Sequence, residues 1–268
     1  MADRLVLARA ALHFWEEPPI SGEAGSGAVF FSGCSLGCVY CQNRSISQGC
    51  EGIEINEERL VHIFLELQDK GALNVNLVTP THFGPIAVNA IAQARARGLE
   101  LPIVWNTSGY ENVAQIEALD GVVDIYLTDF KYFDNALAQR YSHVSDYREV
   151  AIAALDAMCA QNGADVIVRH MMLPGHANDS RAVVRLLHER YGDRVTLSLM
   201  SQYTPCEVPA AFPELQHAVS TSEYDELLTY ADELGIEEYF WQEGPAAAES
   251  FIPAFDGTGV ESGMTTRI

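Results

Sequence analysis

The chain has 268 residues, 37 acidic against 16 basic, for a formal net charge of −21. That balance excludes a phosphate-tracking surface, and with it nucleic acid and anionic membranes as partners. No run of 18 apolar residues and no N-terminal cleavage signal occurs, so a cytoplasmic protein outside the membrane is expected.

In chain order, β-like runs stand at Ala28 to Ser32, Leu73 to Val78, Pro102 to Asn106, Val122 to Thr128, Asp165 to Met172 and Arg194 to Met200. Helical patterns separate or follow them, at Glu57 to Lys70, Pro85 to Arg97, Glu111 to Leu119, Tyr147 to Gln161, Ser180 to Tyr191 and Ser222 to Leu234. Such alternation implies parallel strands joined by right-handed helical crossovers. Parallel strands are buried on both faces and read as near-continuous apolar runs, as residues 122–127 nearly do. Six units fall short of a full barrel's eight, so the expected fold is α/β, a partial (β/α)6 barrel, with an open doubly wound sheet as the alternative. No linker divides the chain: residues 1–26 read as an N-terminal extension, 27–240 as the partial barrel and 241–268 as a C-terminal tail, all one domain.

Ligands in such folds bind at the carboxyl ends of the strands. There the sequence places three cysteines, then Thr79-Pro80-Thr81-His82-Phe83, Asn106-Thr107-Ser108-Gly109-Tyr110, Asp129-Phe130-Lys131, Arg169 to Gly175, and Ser201-Gln202-Tyr203-Thr204-Pro205. Polar residues at six successive strand ends converge on one mouth.

The cysteines, Cys34, Cys38 and Cys41, form Cys-x3-Cys-x2-Cys on a Gly-rich loop. A four-metal cluster held by three thiolates keeps one iron open for a non-protein ligand. A zinc site would need a fourth ligand, and the nearest candidate is Cys50, at a spacing that fits no common zinc pattern. A disulfide with a spare thiol would need an oxidising compartment. Cys159, on an expected helix, and Cys206, in a Pro-flanked loop, read as structural.

The cysteine motif with Tyr40 before its last member resembles that of the radical S-adenosylmethionine enzymes. Residues 30–43, 76–82, 106–111, 129–132, 168–170 and 199–205 are similar, in order, to an uncharacterised branch related to pyruvate formate-lyase-activating enzyme. The resemblance runs from about His13 to Val260. It implies a partial β/α barrel of the radical S-adenosylmethionine type, a [4Fe–4S] cluster on Cys34, Cys38 and Cys41, and S-adenosylmethionine chelating the fourth iron through its amino nitrogen and carboxylate. Two features depart from the wider pattern. A cysteine-containing segment often found ahead of the His-x-x-Glu-Glu-Pro stretch is absent before His13, Glu16, Glu17 and Pro18. The superfamily's Gly-Gly-Glu, which holds the cofactor's amino group, is replaced by Thr79-Pro80-Thr81-His82.

By the same resemblance Tyr40 lines the adenine pocket, while Asp129 and Lys131 contact the ribose and the methionine carboxylate; on spacing alone the pair is a local ion pair. Thr79, Thr81, Asn106, Ser108, Arg169 and His170 are further cofactor candidates, although Asn-Thr-Ser-Gly is also a common turn and a lone His is often structural. His82, Gln202 and Tyr203 are assigned to the substrate side. Gly33 and Gly37 serve loop geometry. Glu16 and Glu17 clamp a partner or solvate a loop, the second being favoured on spacing, and acidic patches such as Glu57-Glu58 read as solvated surface.

The expected activity is reductive cleavage of S-adenosylmethionine to methionine and a 5′-deoxyadenosyl radical that takes hydrogen from a substrate. One version is a glycyl-radical-enzyme activase; another modifies a small molecule or peptide; a degenerate member would bind the cofactor without cleaving it. A non-catalytic iron–sulfur or zinc module is the competing class. The expected partners are a flavodoxin- or ferredoxin-like reductant and, for an activase, a glycyl radical enzyme.

Overall fold

The apolar runs become the strands of one mostly parallel sheet. The computed structural model describes residues 4–49, 51–206, 208–242 and 253–261. In order these form β1 (Leu5–His13), α1 (Pro18–Ser21), β2 (Ser26–Phe31), α2 (Arg44–Ser47), β3 (Ile53–Ile55), α3 (Glu57–Asp69), β4 (Val75–Val78), α4 (Gly84–Ala96), β5 (Ile103–Thr107) and α5 (Val113–Glu117). They continue with β6 (Ile125–Asp129), α6 (Asn135–Ser142), α7 (Tyr147–Cys159), β7 (Asp165–Met171), α8 (Ala177–Tyr191), β8 (Thr196–Met200), α9 (Thr221–Glu233) and β9 (Tyr239–Phe240).

The sheet order is β3-β1-β2-β4-β5-β6-β7-β8-β9. From β2 to β9 all neighbours are parallel, and β1 pairs antiparallel with both β2 and β3. The outermost strands, β3 and β9, do not pair with each other, so the barrel stays open. The six expected strands are present as β2 and β4 to β8. Within the N-terminal extension, β1 pairs with β2 from Leu7 to His13 and so joins the sheet. Residues 253–261 pack back on this edge: Ala10 N–H donates to Thr258 O and Gly257 N–H to Ala8 O, at 2.8 and 3.0 Å. The rest of the expected tail, apart from Trp241 and Gln242, lies outside the described residues.

Strand register fixes which side chains enter the barrel. Asn76, Val104, Leu127 and Ile167 share the inner face with Asn106, Asp129, Arg169 and Ser198. Val104, Leu127 and Ile167 make an apolar layer closed by Ile20. Asn106, Asp129 and Arg169 make the polar layer toward the strand carboxyl ends. The other face carries the main core, where Phe31, Leu60 and Phe64 are fully buried. Each such side chain stabilises the fold by about 1.5–3 kcal/mol.

Local signals set the helices. The Asn56 side chain caps α3, Asp134 caps α6, and Ser220 with Glu223 forms a capping box on α9. None of the helices among the described residues is long and apolar enough to cross a membrane.

Candidate active site

The loop after β2 carries the three cysteines, and its shape depends on Gly33. That residue has φ +97°, and a Cβ there would lie 3.0 Å from His82 Nε2. His82 in turn bonds Ser32 O through Nε2 at 2.7 Å, which ties the end of β4 to the start of the loop. Its pKa is lowered by burial, partly offset by that carbonyl.

Each thiol has a polar neighbour. Leu36 N–H points at Cys34 Sγ at 3.4 Å, Ser142 Oγ lies 3.0 Å from Cys38 Sγ, and Ser47 Oγ lies 3.3 Å from Cys41 Sγ. Val39 N–H donates to Tyr141 O at 2.8 Å, so the end of α6 is clamped to the cysteine loop. A buried hydroxyl chain runs on from Ser142: Tyr132 lies at 2.7 Å, and Tyr40 at 2.6 Å from Tyr132. Burial pushes the Cys34 thiol up to about 11 and raises Cys38, which nearby Lys131 partly opposes. These thiols hold their protons at neutral pH until a metal displaces them. Among the described residues no three His, Cys, Asp or Glu side chains converge on a single-ion site. Thiols that ligate separate corners of a cluster need no such convergence. Cys50, the candidate fourth zinc ligand, lies outside the described residues.

The polar layer below the loop is a charge network. Asp129 takes Lys131 Nζ at 2.6 Å and Arg169 Nε at 2.9 Å. Arg169 extends to Asn106 Oδ1 at 2.7 Å and to Glu16 Oε2 at 3.1 Å. Asn76 and Asn106 donate to Glu16 Oε1, each at 3.3 Å, and Ser198 donates to Glu17 Oε1 at 3.0 Å. Burial alone would raise Asp129, but Arg169 and Lys131 more than offset it and hold its carboxyl below the usual range. Lys131 and Arg169 are held up by their acidic partners against burial. Glu16 and Glu17 are raised by burial, opposed by Arg169. The expectation that these two glutamates solvate a loop or clamp a partner is therefore corrected: both are inside the barrel as counter-charges to Arg169.

Three cavities meet this constellation. One of about 230 Å3 has Cys38, Tyr40, Cys41, Asp129, Lys131, Arg169 and Gln202 on its walls. One of about 150 Å3 lies over Glu16, Asn106 and Arg169, again with Gln202. The third, about 1020 Å3, begins on the other side of the loop at Cys34 and includes Thr79, Thr81, His82 and Glu111. Thr79 has φ +57°, a strained conformation for a β-branched residue, held by its N–H to Asn106 O at 2.8 Å. Glu111 is nearly fully buried; Thr107 Oγ1 donates to its Oε1, and its Oε2 makes no hydrogen bond.

Other expected residues are placed differently. Tyr203 is completely buried, with its hydroxyl donating to Leu215 O at 2.7 Å and its ring 6.0 Å from that of Tyr40; it packs the wall behind the site and does not face a substrate. His170 is buried, with Nδ1 on Phe130 O at 2.8 Å and burial holding its pKa down to about 4, so it is neutral and adds no charge to an anion site. Ser108 contributes its carbonyl, which accepts Tyr147 OH at 2.8 Å. Gly109 beside it has φ +79°, and a Cβ there would come within 2.0 Å of Asp129 O, so no other residue fits. Tyr40 lines the inner cavity but commits its hydroxyl to Tyr132. Ser142, Tyr132, Asn76 and Glu111 are site residues that sequence reasoning missed. Asn76, Glu111 and Tyr132 lie inside the family-like motifs; Ser142 had no signal.

Comparison with known proteins decides what this constellation belongs to. The sequence model described as Radical SAM superfamily matches residues 28–187. The chain belongs to that superfamily. It is 28% identical over 237 residues to an uncharacterized protein, MJ0674, of Methanocaldococcus jannaschii, covering 84% of this chain and 67% of that one. Its fold is similar to SuiB of Streptococcus suis bound to precursor peptide SuiA, with a TM-score of 0.53 and 14% identity over 79% of this chain and 47% of SuiB. It is similar also to a radical SAM methyltransferase from Sphaerobacter thermophilus, with a TM-score of 0.54 and 17% identity over 82% and 68%. HydG, a maturase of the [FeFe]-hydrogenase, gives 0.55 and 16% over 82% and 52%. The chain thus spans about half the length of SuiB and HydG.

Radical SAM proteins carry a [4Fe–4S] cluster and S-adenosylmethionine, and the residues here fit both. Cys34, Cys38 and Cys41 supply the thiolates. The cationic Lys131 and Arg169 stand in the same cavity as Cys38 and Cys41, where a carboxylate would find its counter-charge.

Proposed function

We propose that this radical SAM enzyme cleaves S-adenosylmethionine and directs the resulting radical at a polypeptide segment, as a glycyl-radical-enzyme activase does. When bound, the cluster supplies the one electron that breaks the sulfonium bond to C5′, giving methionine and a 5′-deoxyadenosyl radical. The electron comes from a flavodoxin- or ferredoxin-like partner.

The protein's own residues bind, orient and exclude water. Lys131 offers a cation for the methionine carboxylate, held in place by Asp129. Arg169 and Asn106 fix the floor beneath.

The filled barrel interior carries the polypeptide reading. Glu16, Glu17 and Arg169 occupy it, and its two cavities of about 230 and 150 Å3 are each smaller than an ordinary single-ligand site. The room for a substrate is in the cavity of about 1020 Å3 that starts at Cys34, at the upper limit of a small-molecule site and wide enough for a polypeptide segment. SuiB, of similar fold, is known with a precursor peptide bound.

The test uses protein purified without oxygen, reconstituted with iron and sulfide, and reduced with dithionite. With S-adenosylmethionine it is expected to form 5′-deoxyadenosine and methionine, dependent on all three cysteines. A peptide bearing the glycine loop of a glycyl radical enzyme is expected to raise that rate and give a carbon-centred signal by electron paramagnetic resonance. Stimulation by free amino acids with none from the peptide would reject the polypeptide reading.

A further inference from the structure

We propose that Gln202 reads the adenine of S-adenosylmethionine, its carboxamide accepting a hydrogen bond from the 6-amino group and donating one to the neighbouring ring nitrogen. The inference rests on S-adenosylmethionine being the cofactor and is independent of which substrate takes the radical. It moves Gln202 from the substrate side, where the sequence places it, to the cofactor.

The two inner cavities are one continuous cleft, because Gln42, Asn43, Arg169 and Gln202 stand on the walls of both. Strand order fixes what lies along it. Cys38, Cys41 and Lys131 mark the end where the iron and the methionine carboxylate belong. One strand further on is Met171, at the end of β7, and its register partner Met200 ends β8. Gln202 follows two residues later, and all three line the cleft. β6 and β8 are two strand spacings apart, roughly 10 Å, which is the order of the span from carboxylate to purine in an extended S-adenosylmethionine. With the carboxylate held at Lys131, the purine reaches the two methionines and Gln202.

Those residues suit a purine. Thioethers pack well against aromatic rings, and a carboxamide presents a donor beside an acceptor, the complement of a 6-amino group next to a ring nitrogen. The Gln202 carboxamide is also available, since it makes no hydrogen bond to the described residues while the backbone around it is pinned. Gln202 O accepts Gln42 Nε2 at 3.3 Å, Ser201 N–H donates to Gln242 Oε1 at 2.9 Å, and the Tyr203 hydroxyl donates to Leu215 O at 2.7 Å. A fixed backbone carrying a free amide binds a ligand without first breaking a bond or ordering a loop. Its neighbours are committed elsewhere: Asn106 bonds Arg169 and Glu16, Gln42 bonds Gln202 O, and Tyr40 shares its hydroxyl with Tyr132.

A substrate amide is the other partner that Gln202 could serve, and the experiment separates the two. Reconstituted wild-type and Gln202→Met proteins are equilibrated with S-adenosylmethionine and with its analogue whose purine lacks the 6-amino group, and dissociation constants are measured by equilibrium dialysis. A bidentate carboxamide–adenine pair corresponds to roughly 5- to 100-fold in discrimination. The wild type is therefore expected to prefer S-adenosylmethionine by that factor, and Q202M to lose the preference and bind S-adenosylmethionine about as weakly as the analogue. Full iron and sulfide content is the folding control. A preference retained in Q202M would overturn the proposal and pass the purine to another group such as Asn43. Unchanged S-adenosylmethionine binding in Q202M would overturn it too, the result expected if Gln202 serves a substrate, as would a wild type with no preference. Failure of the wild type to bind S-adenosylmethionine would sink the cofactor reading itself. Should Q202M not load iron, Gln202→Glu carries the test: its carboxylate still accepts from the amino group but cannot donate to the ring nitrogen. It is expected to keep the preference while binding both ligands more weakly, and wild-type affinity for both would overturn the proposal.

Discussion

The two sides of the cysteine loop handle buried charge in opposite ways. On the Cys38 side, Asp129, Lys131, Arg169 and Glu16 are paired with one another before any ligand arrives, each within 3.1 Å of a partner. On the Cys34 side, Glu111 and Thr81 have buried oxygens with nothing bonded to them. Glu17 Oε2 and Asn76 Oδ1 in the first network are also without a bond, so the contrast lies in charge: there the carboxylates face Arg169 and Lys131, whereas Glu111 has no cation beside it. The fold thus separates a scaffold half of the site from a capturing half, with the cluster loop between them.

The largest effect is expected where both halves meet. Cys34→Ala, Cys38→Ala or Cys41→Ala should each abolish the cluster, read as iron and sulfide content and loss of visible absorbance, because three thiolates are the minimum that holds it. Cys159→Ala, at the end of α7, should leave both unchanged. Wild-type iron in any of the three variants would dissolve the comparison altogether.

Next is the scaffold half. Arg169→Met removes the shared partner of Asp129 and Glu16 and leaves two buried carboxylates facing each other. Breaking a buried pair this way costs on the order of 3–5 kcal/mol, measured by urea unfolding. A loss under about 1 kcal/mol would mean that water, not Arg169, solvates those carboxylates.

How much of this was legible follows from how far each determinant reaches along the chain. β2 and β4 to β8 were readable because parallel strands buried on both faces must be apolar over several residues. Strand-end residues such as Asp129 and Lys131 were readable from position alone. β1 was missed because its alternation, Leu5, Leu7 and then Arg9, sits in a stretch that looks like a terminal extension, and only pairing with β2 makes it a strand. β3 and β9 are too short to show a period. α6 is polar for much of its length, and its role in gripping the cysteine loop rests on Ser142, 104 residues beyond Cys38. Glu16 and Glu17 looked like solvated acids because their burial depends on Arg169, 153 residues away. Tyr203 looked like a site residue for a similar reason: its partner, Leu215 O, is fixed by a turn that composition does not specify.

The capturing half gives the third effect, in cofactor-free protein. Folding raises Glu111 to about 7 from an ordinary 4.5 by burial. A carboxyl raised on folding contributes its full stability below its unfolded value and loses it as pH rises through the folded one. Relative to Glu111→Gln, the wild type should therefore lose on the order of 3 kcal/mol of stability between pH 4.5 and 7.5. Parallel pH profiles for the two proteins would show that the Glu111 carboxyl is not held in its neutral form.

The smallest effect tests whether the scaffold half also tunes the metal. With Cys38 as a thiolate, its sulfur can only accept, so Ser142 must donate to it, Tyr132 to Ser142 and Tyr40 to Tyr132. All three hydroxyls then point the same way, and each bond polarises the next. A donor to a cluster sulfur favours the more negative, reduced state and raises the potential. Ser142→Ala should lower the midpoint potential of the cluster by about 40 mV, the one-electron equivalent of one hydrogen bond of about 1 kcal/mol. Tyr132→Phe should lower it by less, because Ser142 still donates but loses the polarising bond behind it. A redox titration followed by electron paramagnetic resonance decides between this and a purely structural chain, in which the variants melt earlier but keep the wild-type potential.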